Sequence, residues 1–180
     1  MASDHTAKAF DEDLQELTRL VAEMGGLAER QIVDSVDALV RRDVALGKRV
    51  AASDLEIDRL QHVIEERAVL TIARRQPMAI DLREIVGAMR VAADLERIGD
   101  LSKNIGKRVS QLDSDFHPLK LIRGLEHMTD LVQSQVKSVL DAYAAHDLPA
   151  AMVVWKGDEE VDAICTSLSS TRFRLARRAR

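Results

Sequence analysis

From Phe10 to Val40 the chain places Leu14, Leu17, Val21, Met24, Leu27, Gln31, Ile32, Val36 and Leu39 at three- and four-residue intervals, with no proline among them. Such a series falls on one side of an element only if that element is an α-helix. Asp43 suits the N-cap of a second helix, which runs through Val50, Ile57, Leu60, Ile64, Leu70 and Ile72 and closes with Arg74-Arg75 before Pro77. Asp81, with Glu84 three residues later, has the spacing of a capping box. It predicts a third helix through Leu82, Ile85, Met89, Ala93, Ile98 and Ile105, ending near Leu112. Asp113-Ser114-Asp115-Phe116-His117-Pro118 mixes turn residues with proline and reads as a linker. A fourth helix is expected from Leu119 to about Ala145. A fifth, capped by Asp147 with Pro149 in its first turn, is expected to last to near the end.

Composition agrees with an all-α fold. Aromatics make up 3% against 46% apolar residues, so the core must be built from Leu, Ile, Val, Ala and Met. Eight glycines and three prolines leave few places to turn. The formal net charge of −4, from 26 basic and 30 acidic residues, lacks the basic excess on which a general nucleic-acid binder relies. The lone Cys165 excludes an internal disulfide framework and is expected as a small buried hydrophobe. No apolar run approaches the roughly 20 residues of a membrane span. The start, Met1-Ala2-Ser3-Asp4-His5, has neither a basic nor an apolar leader segment. A cytoplasmic protein without membrane insertion is expected.

The two halves are related. Met24 and Met128, Leu27 and Leu131, Asp43 and Asp147, Asp54 and Asp158, and Asp58 and Asp162 are all 104 residues apart. A constant offset without gaps argues for tandem duplication of a three-helix unit. The expected division is a first bundle at 5–112, a linker at 113–118 and a second unit at 119–180. Counterparts of Glu96 and Asp100 would fall at 200 and 204, beyond Arg180, so the second unit is expected to contribute two helices. Its apolar stripe would then need covering by a partner chain. The arginines at 172, 174, 177, 178 and 180 suit the negative end of a helix dipole.

Asp54 with Asp58, and Glu96 with Asp100, form acidic pairs at i,i+4 spacing, and the two pairs are equidistant from Pro77. If the flanking helices fold back on each other, equidistant residues lie at one height, and four carboxylates converge. Within each pair the Cβ atoms are roughly 5–6 Å apart, so the charges repel unless something positive lies between them. Asn104, one further i+4 step, could add an amide oxygen. Several anionic oxygens are what hard metal ions require. The spacing alone leaves open the alternative that these are solvated acidic faces. No histidine has glutamate three residues before it, as a di-iron carboxylate site would need. His62, one turn after Asp58, reads as a helix-surface residue. Met24-Gly25-Gly26 marks a close helix contact.

Met24-Gly25-Gly26-Leu27, Arg75-Gln76-Pro77-Met78, Asp81-Leu82-Arg83 and above all Leu95-Glu96-Arg97-Ile98-Gly99-Asp100, followed by Asn104-Ile105, resemble the PhoU family of phosphate-signalling regulators. The resemblance implies tandem, spectrin-like up-down-up three-helix bundles, here with the second lacking its last helix. It implies metal sites at Asp54, Asp58, Glu96 and Asp100, with Asn104 beside them, and at Asp158 and Asp162. The ion would be Mn²⁺, Mg²⁺, iron or Zn²⁺, with Ca²⁺ also compatible with oxygen ligands. The implied function is negative regulation of phosphate uptake and of the phosphate-starvation response. The implied partners are the phosphate ABC transporter ATPase, a membrane sensor histidine kinase and a second copy of the chain. A different class of function, a metal-dependent phosphohydrolase or oxidase using the same carboxylates, is disfavoured by the lack of His or Lys acid–base candidates in the motifs.

Overall fold

The computed structural model describes residues 2–112 and 119–178, with the backbone alone at 2–7 and 171–178. The Asp113–Pro118 linker, Arg180 and the side chains of Arg172, Arg174, Arg177 and Arg178 lie outside that description. The described chain is helical: α1 (Ala2–Arg41), α2 (Val44–Arg75), α3 (Ala79–Arg108), α4 (Leu119–Ala144), α5 (Leu148–Lys156) and α6 (Asp158–Arg178). A single 3-10 turn, Val109–Gln111, finishes α3. Helices α1, α2 and α3 pack pairwise into a bundle, α4 lies against α1, and α5 and α6 pack on α4.

The bundle core takes Leu17, Leu20, Val21, Met24 and Ala28 from α1, Ile57, Leu60, Ile64 and Ala68 from α2, and Ile85, Ala88, Ala92 and Leu95 from α3. Side chains at three- and four-residue steps supply it, as the periodicity requires. The face that α3 buries is narrower than the large residues suggest. Leu82 and Ala93 are exposed, whereas Ala88, Ala92, Gly99, Ser102 and Gly106 are buried. Small residues let the helices approach, and the approach is closest at Gly47 of α2 and Gly106 of α3. A Cβ on either would fall within 2.6–2.7 Å of the other's carbonyl oxygen. Gly25 serves α4 in the same way, because a Cβ there would strike the Leu140 side chain.

Helix ends follow local chemistry with one exception. Asp43 caps α2 by accepting from the Leu46 N–H at 2.9 Å, and Asp147 caps α5 by accepting from the Ala150 N–H at 2.9 Å. The residue before each cap, Arg42 or His146, is left-handed, with φ of 56° or 52°. The Asp43 N–H reaches back to Ala38 O and the Asp147 N–H to Ala142 O. These two turns, 104 residues apart, are thus built alike. Gln76, with φ of 48°, ends α2 and donates to Ile72 O. Asp81 and Glu84 do not form the expected capping box. The cap of helix α3 falls three residues earlier, at Met78, with no side-chain cap bond. Asp81 then falls in the first turn, where its charge still suits the dipole, and Glu84 faces His146, Oε1 to Nε2 3.8 Å.

Two further expectations are corrected. The fifth helix is interrupted at Gly157, whose carbonyl accepts from Gln135 Nε2 at 2.9 Å, so α5 and α6 are separate elements. Cys165 is exposed on α6, which among the described residues packs mainly on α4. No helix among the described residues is long and apolar enough to cross a membrane.

Candidate metal centre on the α2–α3 hairpin

Helices α2 and α3 run antiparallel from the Pro77 turn, and residues equidistant from it meet. Asp54 lies on the buried face of α2 at 2% exposure, one turn before Ile57. Asp58, Glu96 and Asp100 are half-buried around it. Their proximity is felt electrostatically. Burial first, then the charges of Asp100, Asp58 and Asp54, push the Glu96 carboxyl above its ordinary value, against the opposing pull of Lys103.

The positive charge that such a cluster requires is Lys103. Its ammonium donates to Asp54 Oδ2 on α2 and to Asp100 Oδ1 on its own helix. Those two hydrogen bonds, the Asp100 bond first, raise the lysine above its ordinary value and keep it charged. Asn104 does not join the cluster. It is exposed, because each i+4 step turns about 40° beyond a full turn, and two steps from Glu96 carry it about 80° away. Seven residues after Glu96, Lys103 returns to within about 20° of it and takes the inward place. Asp158 and Asp162 are exposed on α6. His62 is an exposed helix-surface residue, its Nδ1 2.8 Å from the Asp58 carbonyl oxygen of the preceding turn.

Beside the Asp54 carboxylate lies a buried polar contact that the motif spacing did not reveal. Asp54 Oδ1 and Gln31 Oε1 are buried without a hydrogen-bond partner. Both face Gly99, where a Cβ would lie 3.0 Å from the first and 3.3 Å from the second. Gln31 is held from its other end, Nε2 donating to Ser53 Oγ at 3.0 Å. Its counterpart 104 residues later, Gln135, donates to the carbonyl of Gly157, between α5 and α6. A polar residue within the α1 stripe, repeated at the offset, was the available sequence signal for it.

This donor set fits a hard cation in two respects: an orphaned buried carboxylate oxygen, and an ammonium already standing between carboxylates from two helices. Among the described residues, no three His, Cys, Asp or Glu side chains converge closely enough to hold a metal as they stand. The point on which Asp54 and Asp100 converge is taken by Lys103.

A second concavity lies between α3 and the α4–α5 turn, an apolar hollow of about 490 Å³ walled by Val91, Leu95, Ile98, Val136, Leu140 and Leu148. It adjoins α5, none of whose residues is buried.

A family model described as "PhoU domain" matches residues 21–109, which span the α2–α3 hairpin. The "Phosphate-specific transport system accessory protein PhoU homolog" of Rhizobium meliloti is 52% identical over 168 residues, 93% of this chain and 71% of that protein. The Caulobacter vibrioides protein of the same description is 48% identical over 160 residues, covering 89% of this chain and 70% of its own length. The crystal structure of PhoU from Pseudomonas aeruginosa superposes with a TM-score of 0.88 at 32% identity, over 94% of this chain and 81% of that one. The phosphate transport system regulatory protein PhoU from Streptococcus pneumoniae gives 0.86 at 27% identity, over 93% and 79%.

Proposed function

The chain belongs to the PhoU family, and from that premise we propose that it is a negative regulator of phosphate uptake and of the phosphate-starvation response. The family is one of regulatory accessory proteins rather than enzymes, which removes the phosphohydrolase or oxidase alternative. In this reading the chain is a cytoplasmic adaptor between the phosphate ABC transporter ATPase and a sensor histidine kinase. The relatives' description as accessory proteins of phosphate-specific transport supports it. A strain lacking the gene should express a phosphate-starvation reporter in abundant phosphate, and reintroducing the chain should silence it. A reporter that stays on despite full-level expression would count against the adaptor reading.

The repeat architecture belongs to the same proposal. A first unit at 5–112 and a second at 119–180 are supported by the paired turns at Asp43 and Asp147 and the paired glutamines 31 and 135.

The regulator is proposed to carry a metal on Asp54, Asp58, Glu96 and Asp100. The single observation that supports this is the convergence of carboxylates from α2 and α3 around a cation, with Asp54 Oδ1 unpaired. A bound ion would supply charge neutralisation, and the chain's residues would turn that into a fixed α2–α3 geometry for partners to recognise. Asn104, Asp158 and Asp162 are exposed and are at most outer contributors. An ion held only by the folded state stabilises it by mass action, about 2.7 kcal/mol at one hundred times its dissociation constant. The melting temperature should therefore rise in excess Mn²⁺ or Mg²⁺ and fall with chelator. A melt indifferent to both, with no metal by elemental analysis, sinks the metal reading.

A further inference from the structure

We propose that Lys103 is a built-in competitor for this centre: its ammonium closes the cluster until a multivalent cation displaces it, so lysine and metal occupy the site in alternation. The inference deepens the metal reading and rests on it.

Lys103 bonds the carboxylates of both helices, and Asp54 is its buried partner. Two carboxylates bonded to one ammonium, with Asp58 and Glu96 close enough to be felt, leave negative charge uncompensated, and a divalent or trivalent ion offsets more of it. A monovalent ion brings no more charge than the lysine already does, so sodium and potassium gain nothing by displacing it. The lysine is also the movable party. Its side chain is 22% exposed on a flexible four-carbon stem, whereas Asp54 is fixed within the α2–α3 interface. An ammonium at the boundary can turn outward into water, where its hydration replaces the lost ion pairs. Without metal the same departure would leave Asp54 buried and unpaired, an arrangement that is strongly unfavourable. Each cation therefore excludes the other, and the lysine sets the metal concentration at which the site fills.

Lys103 should follow opposite rules in the two states. Lys103→Met removes the competitor, so the metal-free protein should melt lower while Mn²⁺ binds roughly tenfold more tightly or better by titration calorimetry. Lys103→Arg keeps the charge and should stay nearer the parent. The unaltered protein gives an independent readout. An ion-paired amine resists acylation, so mass-spectrometric labelling of Lys103 should be slow without metal and rise on adding Mn²⁺, but not on adding sodium. Tighter binding by the Met variant, including binding seen only in that variant, or metal-dependent labelling supports the competition. Mn²⁺ binding with unchanged labelling and equal or weaker affinity in the Met variant overturns it and leaves the metal centre standing. No Mn²⁺ binding in either protein overturns both.

Discussion

Asp54 and Gly99 face one another across the α2–α3 interface so closely that a Cβ on Gly99 would stand 3.0 Å from the carboxylate Oδ1. That Cβ would also lie 3.0 Å from Ile57 Cδ1 and 3.3 Å from Gln31 Oε1, so the glycine lets the helices close tightly beside two orphaned oxygens, and an added methyl would push the Asp54 carboxylate out of place. Gly99→Ala should gain about 1 kcal/mol of helix propensity and lose about 1–3 kcal/mol to overpacking. The expected result is a metal-free protein of equal or modestly lower stability that no longer melts higher in Mn²⁺. Thermal melts with and without the ion check it. A variant that melts higher and keeps its metal response would show that the close approach at Gly99 does not hold Asp54 in place.

Gly106 and Gly26 form a matched pair for the helix packing. A Cβ on Gly106 would lie 2.7 Å from the Gly47 carbonyl oxygen, which is backbone and cannot turn aside, whereas nothing lies within 4 Å of a Cβ on Gly26. Gly106→Ala should therefore destabilise by about 2 kcal/mol or more as the helices part. Gly26→Ala, in an exposed helical position, should stabilise by up to about 1 kcal/mol. Chemical denaturation of the two variants compares them directly. Equal effects of one sign would refute the close approach.

What could be read in the sequence was what depends on local chemistry or simple geometry. Asp43 and Asp147 are caps because short acidic side chains reach the first free N–H groups, and no distant residue is consulted. The two acidic pairs meet because an antiparallel hairpin brings equidistant residues to one height. Lys103 was missed because extending the i+4 row to Asn104 ignored the helix's accumulating rotation. Gly99, Ser102 and Gly106 were missed because a search for apolar side chains ranks Leu82 above them, although close packing selects for the absence of a side chain. The interruption at Gly157 had local signals, a glycine followed by the acids Asp158, Glu159 and Glu160 of a first helical turn, and was missed because the expected fifth helix was carried past them.

Glu96 gives the cluster a pH signature. Burial and the neighbouring carboxylates Asp100, Asp58 and Asp54 raise its pKa in the fold above the ordinary value of 4.5, with Lys103 opposing. A raised acid is more easily protonated folded than unfolded, so its ionised form costs stability above the folded pKa, and the cost is relieved as pH falls toward 4.5. Glu96→Gln removes the cost. The metal-free variant should be more stable than the parent at pH 8, with the gain shrinking as pH falls through the folded pKa and absent by about pH 4. Urea denaturation at several pH values measures it. A gain of constant size, or a loss at pH 8, would show that Glu96 does not feel its neighbours.

Trp155 tests whether the second concavity is an interface. It is 79% exposed on α5, on the same side of the helix as Leu148 at 70%, seven residues earlier, which walls the apolar hollow against α3. Exposed apolar side chains on one side of a helix are buried by association in water, and a homo-oligomer of the purified chain is the outcome expected. The chain's single tryptophan reports on its own burial. Its emission should move to shorter wavelength as protein concentration rises, in step with the sedimentation coefficient. An aromatic anchor at the centre of an interface contributes about 2 kcal/mol or more, so Trp155→Lys should weaken association by roughly thirtyfold. The variant should then sediment as a monomer at concentrations where the parent does not. A parent that stays monomeric, with long-wavelength emission at every concentration, would leave this face free for a different protein.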